Sequence, residues 1–453
     1  MELFAEQAFL LEGWHRNVRI SVAPDGRFDA ITPDSDAPAG IERKAVVVPS
    51  QLSLHSHAFQ RGMAGLAESR QNPSDTFWTW RRLMYQLAHR ISPEQMQDIA
   101  SYLYMEMLTA GYTQVAEFHY LHHAQGGASY GQVAEMSLRL GGAAHAVGIG
   151  LTLLPTLYQR GGFDGRPLQE AQERFATTPE LIEKIISEAQ SAWSETSLLS
   201  VGLGLHSLRA VDLKTVADLL SAQTGPVHIH VAEQQKEVEE CIAAVGARPV
   251  EYLLSQADVD ERWCLVHATH LSSSEVVDMA RSGAVAGLCP ITEANLGDGL
   301  FPLAPYINAR GRFGIGSDSN VLISPWEELR TLEYGQRLFT QTRCAALPAK
   351  ALGSTGGWLY RQALDGGRRA CGLESWGLVA GARADLCVLD EDLLPLPDLQ
   401  GDAVLDAAIF GSRQPPVKDV LCAGQWQVRN GRHLKQEIVT TAFRRTVRTL
   451  LDL

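Results

Sequence analysis

GPVHIHVAE (225–233) and RWCLVHATH (262–270), with a helical stretch between them, decide the fold. Each run is apolar and β-branched through its middle and turns polar at its end, as a buried parallel strand does. Two parallel strands joined through a helix form a right-handed crossover unit. The same grammar recurs outward in AVVVPSQLSLHSH (45–57), YTQVAEFHYL (112–121), GIGLTLLPTLY (148–158), SVGLGLHSL (200–208), GAVAGLCPI (283–291) and RFGIGSDSN (312–320). Helix starts punctuate the series. SPEQ (92–95), SSSE (272–275) and SPWE (324–327) match the capping box, and Thr178-Pro179-Glu180 marks another start. Eight strand–helix units close into an α/β fold, the (β/α)8 TIM barrel.

The chain ends read differently. Residues 2–47 are short β segments, with Asp25-Gly26 as a hairpin signal. β-type runs return after about residue 376 in ADLCVLD and VLCAGQWQVRNGRHL. A small β-sandwich domain built from both chain ends (1–47 and 376–453) is therefore expected beside a barrel over 48–375. The long, aromatic-rich piece at about 58–110, containing DTFWTWRRLMY, is expected as a loop and helix insertion over the barrel mouth.

Composition narrows the function. A net charge of -13 argues against nucleic acid as partner, while local arginines can still hold a small anionic substrate. No apolar run is long enough to span a bilayer, and the acidic start lacks a signal-peptide pattern, so no membrane partner is expected. The seven cysteines are scattered without a CxxC pair, the usage of reduced, mostly buried thiols in a cytoplasmic protein.

Polar residues gather at the C-terminal ends of the strands, where barrel enzymes place their sites. His55 and His57 share one strand face because side chains alternate with period two. His230 ends the fifth run with His228 a layer deeper, His267 ends the sixth, and Asp318 ends the eighth. Alone, an HxH is as readily a buried hydrogen-bonded pair. Together, His55, His57, His230 and Asp318 suit one divalent metal, zinc (Zn2+) best, with a position left for water. Glu233, three residues past His230, is placed to shuttle that water's proton, with Asp318 and His267 as further catalytic groups.

The motifs LHSH, HVAE, VHATH and GSDS at these strand ends, with GLVAGARADLCVLD (377–390), resemble the amidohydrolase superfamily over nearly the whole chain. Binuclear members of that superfamily carry a bridging lysine after the fourth strand. LGLHSLRAV (203–211) has none before Lys214, so the resemblance implies the mononuclear, deaminase-like branch, as does LCPITEANLGDGLFP (288–302). One departure is the Ser50 of PSQLS, where the superfamily usually has Gly after Pro. HSHAFQRGMAG (55–65), EFHYLHH (117–123) and HSLRA (206–210) resemble the formimidoylglutamate deiminase family of histidine degradation. That resemblance implies a homodimer acting on N-formimino-L-glutamate.

Two substrate carboxylates then need donors. Arg209 past the fourth strand, Tyr120, Gln60, His206 and His267 face the site, and Arg81 or Arg82, the latter preferred, completes the clamp if the insertion folds over the mouth. His119, His122 and His123 read as structural, and Phe77, Trp78 and Trp80 as packing. Two other readings compete: a deaminase of an aromatic nitrogen heterocycle, which would leave Arg209 without a purpose, and a non-catalytic scaffold on the same barrel.

Overall fold

The computed structural model describes residues 1–68 and 77–451, apart from the side chains of residues 77–79 and 82. Four strands open the chain: β1 (Glu2–Leu10), β2 (Gly13–Val22), β3 (Phe28–Thr32) and β4 (Glu42–Pro49). The barrel strands follow as β5 (Gln51–Ser56), β6 (Tyr112–His119), β7 (Gly150–Leu157), a short β8 (Leu199–Val201), β9 (Leu203–Ser207), β10 (Val227–Val231), β11 (Trp263–His267), β12 (Val285–Leu288) and β13 (Arg312–Ile315). Last come β14 (Leu386–Leu389), β15 (Val417–Cys422), β16 (Gln425–Arg429) and β17 (Arg432–His433).

The apolar run at 45–57 is two strands in two sheets. Pro49 cannot donate to a ladder, so β4 stops there and the chain passes through buried Ser50 into β5. The Ser50 carbonyl accepts from Trp376 Nε1 at 2.9 Å, and its hydroxyl lies 2.5 Å from Thr113 Oγ1. The serine after Pro49 is thus bonded on both sides. Thr113 Oγ1 continues the network to Asp385 at 2.8 Å, and Asp385 pairs with Arg383 at 2.6 Å. The tail motif therefore ties the terminal sheet to the floor of the barrel.

β5, β6, β7, β9, β10, β11, β12 and β13 form one parallel sheet in that order, with β8 added beside β7. The sheet closes where β13 returns to β5. Asp318 N–H donates to the His55 carbonyl at 3.0 Å, and His57 N–H to the Asp318 carbonyl at 2.9 Å. Helix Thr355–Ala370 covers this seam, and a Cβ at Gly366 would collide with the Phe313 carbonyl, so only glycine permits the approach. Its C-terminal end plugs the barrel floor. His228 Nε2 bonds the Ala370 carbonyl at 2.7 Å and Thr152 Oγ1 donates to the Cys371 carbonyl at 2.9 Å, giving the deeper histidine a structural role.

The terminal strands form a sheet in the order β17-β16-β15-β14-β4-β1-β2-β3, around a core that includes Leu3, Val18, Ile20, Phe28, Leu386 and Leu421. It is one continuous ladder that curls on itself, so that Gly26 of the β2–β3 turn lies against Ala423 of the β15–β16 turn. Of the four helix starts read from sequence, Ser92 and Ser272 form full capping boxes. Thr178 and Ser324 cap through their own hydroxyls alone. All seven cysteines are unbridged, six of them buried. Among the described residues no helix is long and apolar enough to cross a membrane.

Candidate active site

At the C-terminal face of the barrel, β5 delivers His55, with His57 just after its end, β10 delivers His230, and the loop after β13 delivers Asp318. The three Nε2 atoms converge: 3.2 Å from His55 to His57, 3.3 Å from His57 to His230 and 3.0 Å from His230 to His55. Asp318 Oδ1 lies 3.5 Å from His55 Nε2 and 3.4 Å from His57 Nε2. On the far side of the rings, His57 Nδ1 faces the Phe118 carbonyl at 3.0 Å and His230 Nδ1 the His206 carbonyl at 2.9 Å. Those carbonyls place the ring protons of His57 and His230 on Nδ1, so these two Nε2 lone pairs face each other and cannot hydrogen-bond mutually. Buried lone pairs aimed at a common centre fit a cation. Zinc ligands at about 2.0–2.1 Å in a tetrahedron stand about 3.3 Å apart, which the observed spacing matches. Burial first, then neighbouring imidazoles, lowers the pKa of His230, favouring the neutral form that ligates. Burial would raise the Asp318 carboxyl, but His55, His267 and His57 hold it well below the usual range.

Glu233 and His267 flank this set. Glu233 Oε1 is 3.9 Å from His267 Nε2, and Asp318 Oδ2 is 3.8 Å from the same nitrogen. Burial raises the Glu233 carboxyl, with His267 opposing. His267 is lowered by burial, yet Glu233, Glu293 and Asp318 together push it up to about 10. Its Nδ1 faces Glu293 Oε1 at 3.3 Å, and the same oxygen accepts from Cys289 N–H at 2.9 Å. His267 and Asp318 both hold positive φ, +66° and +46°, and at Asp318 the backbone bonds to His55 and His57 maintain that conformation.

The cleft in front of these groups holds about 540 Å3 of empty space, the open solvent at its mouth included. Gln60, Tyr120, His206, Arg209 and His267, each expected to meet substrate, all line it. Gln60 Nε2 donates to Tyr120 Oη at 3.2 Å. Burial, then the charges of Arg209 and Arg81, holds His206 well below the usual imidazole range, so it is neutral. Of the two insertion arginines, Arg81 lines the cleft and donates to Tyr158 Oη at 3.2 Å. The side chain of Arg82, the one preferred from sequence, lies outside the described residues, as do those of Phe77 and Trp78. Trp80 both packs on the core and lines the cleft. His122 and His123 bond the carbonyls of Thr156 and Ala176, at 3.1 and 2.6 Å, away from the cleft. Lys214 is exposed, and no lysine is among the residues lining the cleft. Sequence reasoning missed Glu293, Thr292 and Ser319. They sit within motifs that were singled out, and the proline at the start of helix Pro290–Leu296 was the available sign that a short helix turns Glu293 toward the site.

A closed α/β barrel with such a donor set at its mouth defines a metal-assisted hydrolase. The amidohydrolase family model matches residues 46–427, and the chain belongs to that family. Residues 2–45 match a second model, described as "Formimidoylglutamate deiminase HutF, N-terminal domain". A curated formimidoylglutamate deiminase of Pseudomonas aeruginosa is 50% identical over 452 residues, covering 99% of each chain. Among solved structures, an amidohydrolase from Brucella melitensis superposes with a TM-score of 0.95 at 46% identity over 99% of both chains. An adenosine deaminase from Xanthomonas campestris with bound zinc shares the fold, with a TM-score of 0.80 at 20% identity over 100% of this chain and 98% of its own.

Proposed function

We propose that this protein is a formimidoylglutamate deiminase, hydrolysing N-formimino-L-glutamate to N-formyl-L-glutamate and ammonia. The carrying observation is one cleft that sets the histidine–aspartate cluster and Glu233 against the cations Arg81 and Arg209. An amidine carbon requires the first group and two carboxylates require the second. The near full-length similarity to a deiminase of that name supports the same substrate.

A divalent metal held by His55, His57, His230 and Asp318, zinc by preference, supplies the Lewis acidity that lowers the pKa of water toward neutrality. Asp318, kept ionised by its imidazole neighbours, accepts the proton of the attacking water. The new C–O bond forms at the formimino carbon. Glu233 hands a proton to the imino nitrogen; the adduct's hydroxyl then returns a proton to Glu233 as the C=O bond forms, Asp318 passes the water-derived proton to the same nitrogen, and the C–N bond breaks to release ammonia. His267, its Nδ1 held by Glu293, directs Nε2 at the developing oxygen charge, with His206 beside it. Arg209 and Arg81 pair with the substrate carboxylates, while Gln60 and Tyr120 add hydrogen bonds. Arg82 stays in the proposal as a further donor from the same segment. The enzyme in this reading is a cytoplasmic homodimer of histidine degradation, with the site carried by residues 48–375 and the ends, 1–47 and 376–453, as a separate domain.

Replacing Arg209 by methionine is expected to reduce kcat/KM by about 10²–10³-fold, mostly through KM, because a buried carboxylate loses its charged partner. Steady-state ammonia release measures it. Unchanged kinetics would remove Arg209 from the clamp and favour an uncharged substrate.

A further inference from the structure

The motif GSDSN contains a residue that neither the metal set nor the substrate clamp uses. Asn320 is fully buried and sits at φ +57°, in the left-handed region that asparagine tolerates better than most residues. Its Nδ2 donates to the His57 carbonyl at 3.0 Å, the Asp318 carbonyl at 2.9 Å and Ser56 Oγ at 3.2 Å. Its Oδ1 accepts from Ser317 Oγ at 2.7 Å, and because the two backbone carbonyls can only accept, they fix which end of the amide is which. The backbone carbonyl of Asn320 accepts from Arg61 Nη1 at 2.9 Å, and Arg61 is itself held by both oxygens of Glu106 at 2.7 and 2.8 Å.

These bonds fall on one line, the seam where the barrel closes. On one side are Ser56 and His57, at and just after the end of β5; on the other is Asp318, after β13. The His55/His57 pair and Asp318 are thus ligands on opposite edges of a seam, and one side chain binds the backbone of both. We propose that Asn320 is the positioning residue that locks the two edges of the metal-ligand set in register, and so sets the affinity for the metal. A buried amide needs its hydrogen bonds satisfied, and here the partners are the backbone of the ligand residues rather than solvent or substrate.

Asn320→Gly is the clean variant, since glycine keeps the left-handed backbone without strain and removes only the side-chain bonds. Asn320→Asp is the second, presenting a carboxylate oxygen to acceptors that now receive an N–H. The metal-free proteins are titrated with zinc against a chromophoric chelator, and Asp385→Asn, in the network beneath the barrel, serves as a control for lost stability. Zinc affinity is expected to fall about 10–100-fold in Asn320→Gly and further in Asn320→Asp. At saturating zinc, KM stays within about twofold of wild type because Arg81 and Arg209 are untouched. Asp385→Asn lowers Tm while binding zinc normally. Wild-type zinc affinity in either folded Asn320 variant, or an equal affinity loss in Asp385→Asn at matched Tm, overturns the assignment. The inference rests on the metal reading of the site. A wild-type protein that takes up no zinc overturns both, whereas normal affinity in Asn320→Gly overturns the seam role alone.

Discussion

Glu233→Gln is expected to lower kcat by about 10²–10⁴-fold, the range removed with a positioned proton donor, while metal content and KM stay close to wild type. Glu233 is buried at 8% exposure but stands outside the cluster formed by His55, His57, His230 and Asp318. Its backbone is fixed independently of its carboxyl. The Glu237 carboxylate accepts from Ala232 N–H at 3.3 Å and from Glu233 N–H at 3.2 Å, holding the turn in which Ala232 has φ +51°. Glutamine keeps the size and most of the hydrogen bonding of the side chain, so the fold and the ligands remain. What it cannot do is give up and take back a proton. Burial raises the Glu233 carboxyl from its ordinary value, which favours the protonated form a leaving nitrogen requires. Metal analysis and steady-state kinetics on the same preparation check the outcome. Near-normal kcat with metal still bound would remove Glu233 from the proton path.

His230→Ala is expected to abolish both metal retention and turnover, with activity below about a thousandth of wild type because water is no longer activated. The His230 nitrogen lies 3.0 and 3.3 Å from those of His55 and His57, so its loss opens one side of the donor set. The contrast between the two variants carries the information: Glu233→Gln separates chemistry from metal, whereas His230→Ala removes them together. Elemental analysis and circular dichroism would read the result. A folded His230→Ala protein that kept a full complement of metal and substantial turnover would exclude His230 as a ligand.

The fold was legible in the sequence to the extent that local periodicity encodes it. Parallel strands buried on both faces read as apolar runs, and an i, i+2 spacing puts His55 and His57 on one face whatever lies elsewhere. Convergence of His230 and Asp318 on that pair follows from barrel closure. Other features had no such local signature. Glu293 reaches His267 only because the chain turns into a short helix at Pro290, and Asn320 reaches His57 only because the loop adopts positive φ. Hydrogen bonds across strands distant in sequence leave no periodic trace. The 45–57 run carries Pro49, Ser50 and Gln51 at its centre, but its division between two sheets is fixed by Thr113 and Trp376, which arrive from far along the chain. Arg81 reaches the cleft through the phase of helix Phe77–Arg90 relative to the barrel mouth, which the sequence of the insertion does not show.

The most direct test is ammonia release by the purified, zinc-loaded protein given N-formimino-L-glutamate, run beside guanine, cytosine and adenosine. Rapid turnover of the first substrate alone, with N-formyl-L-glutamate as the co-product, is the expected result. Silence on that substrate with turnover of a heterocycle would leave the barrel and its metal site standing and contradict the assigned reaction.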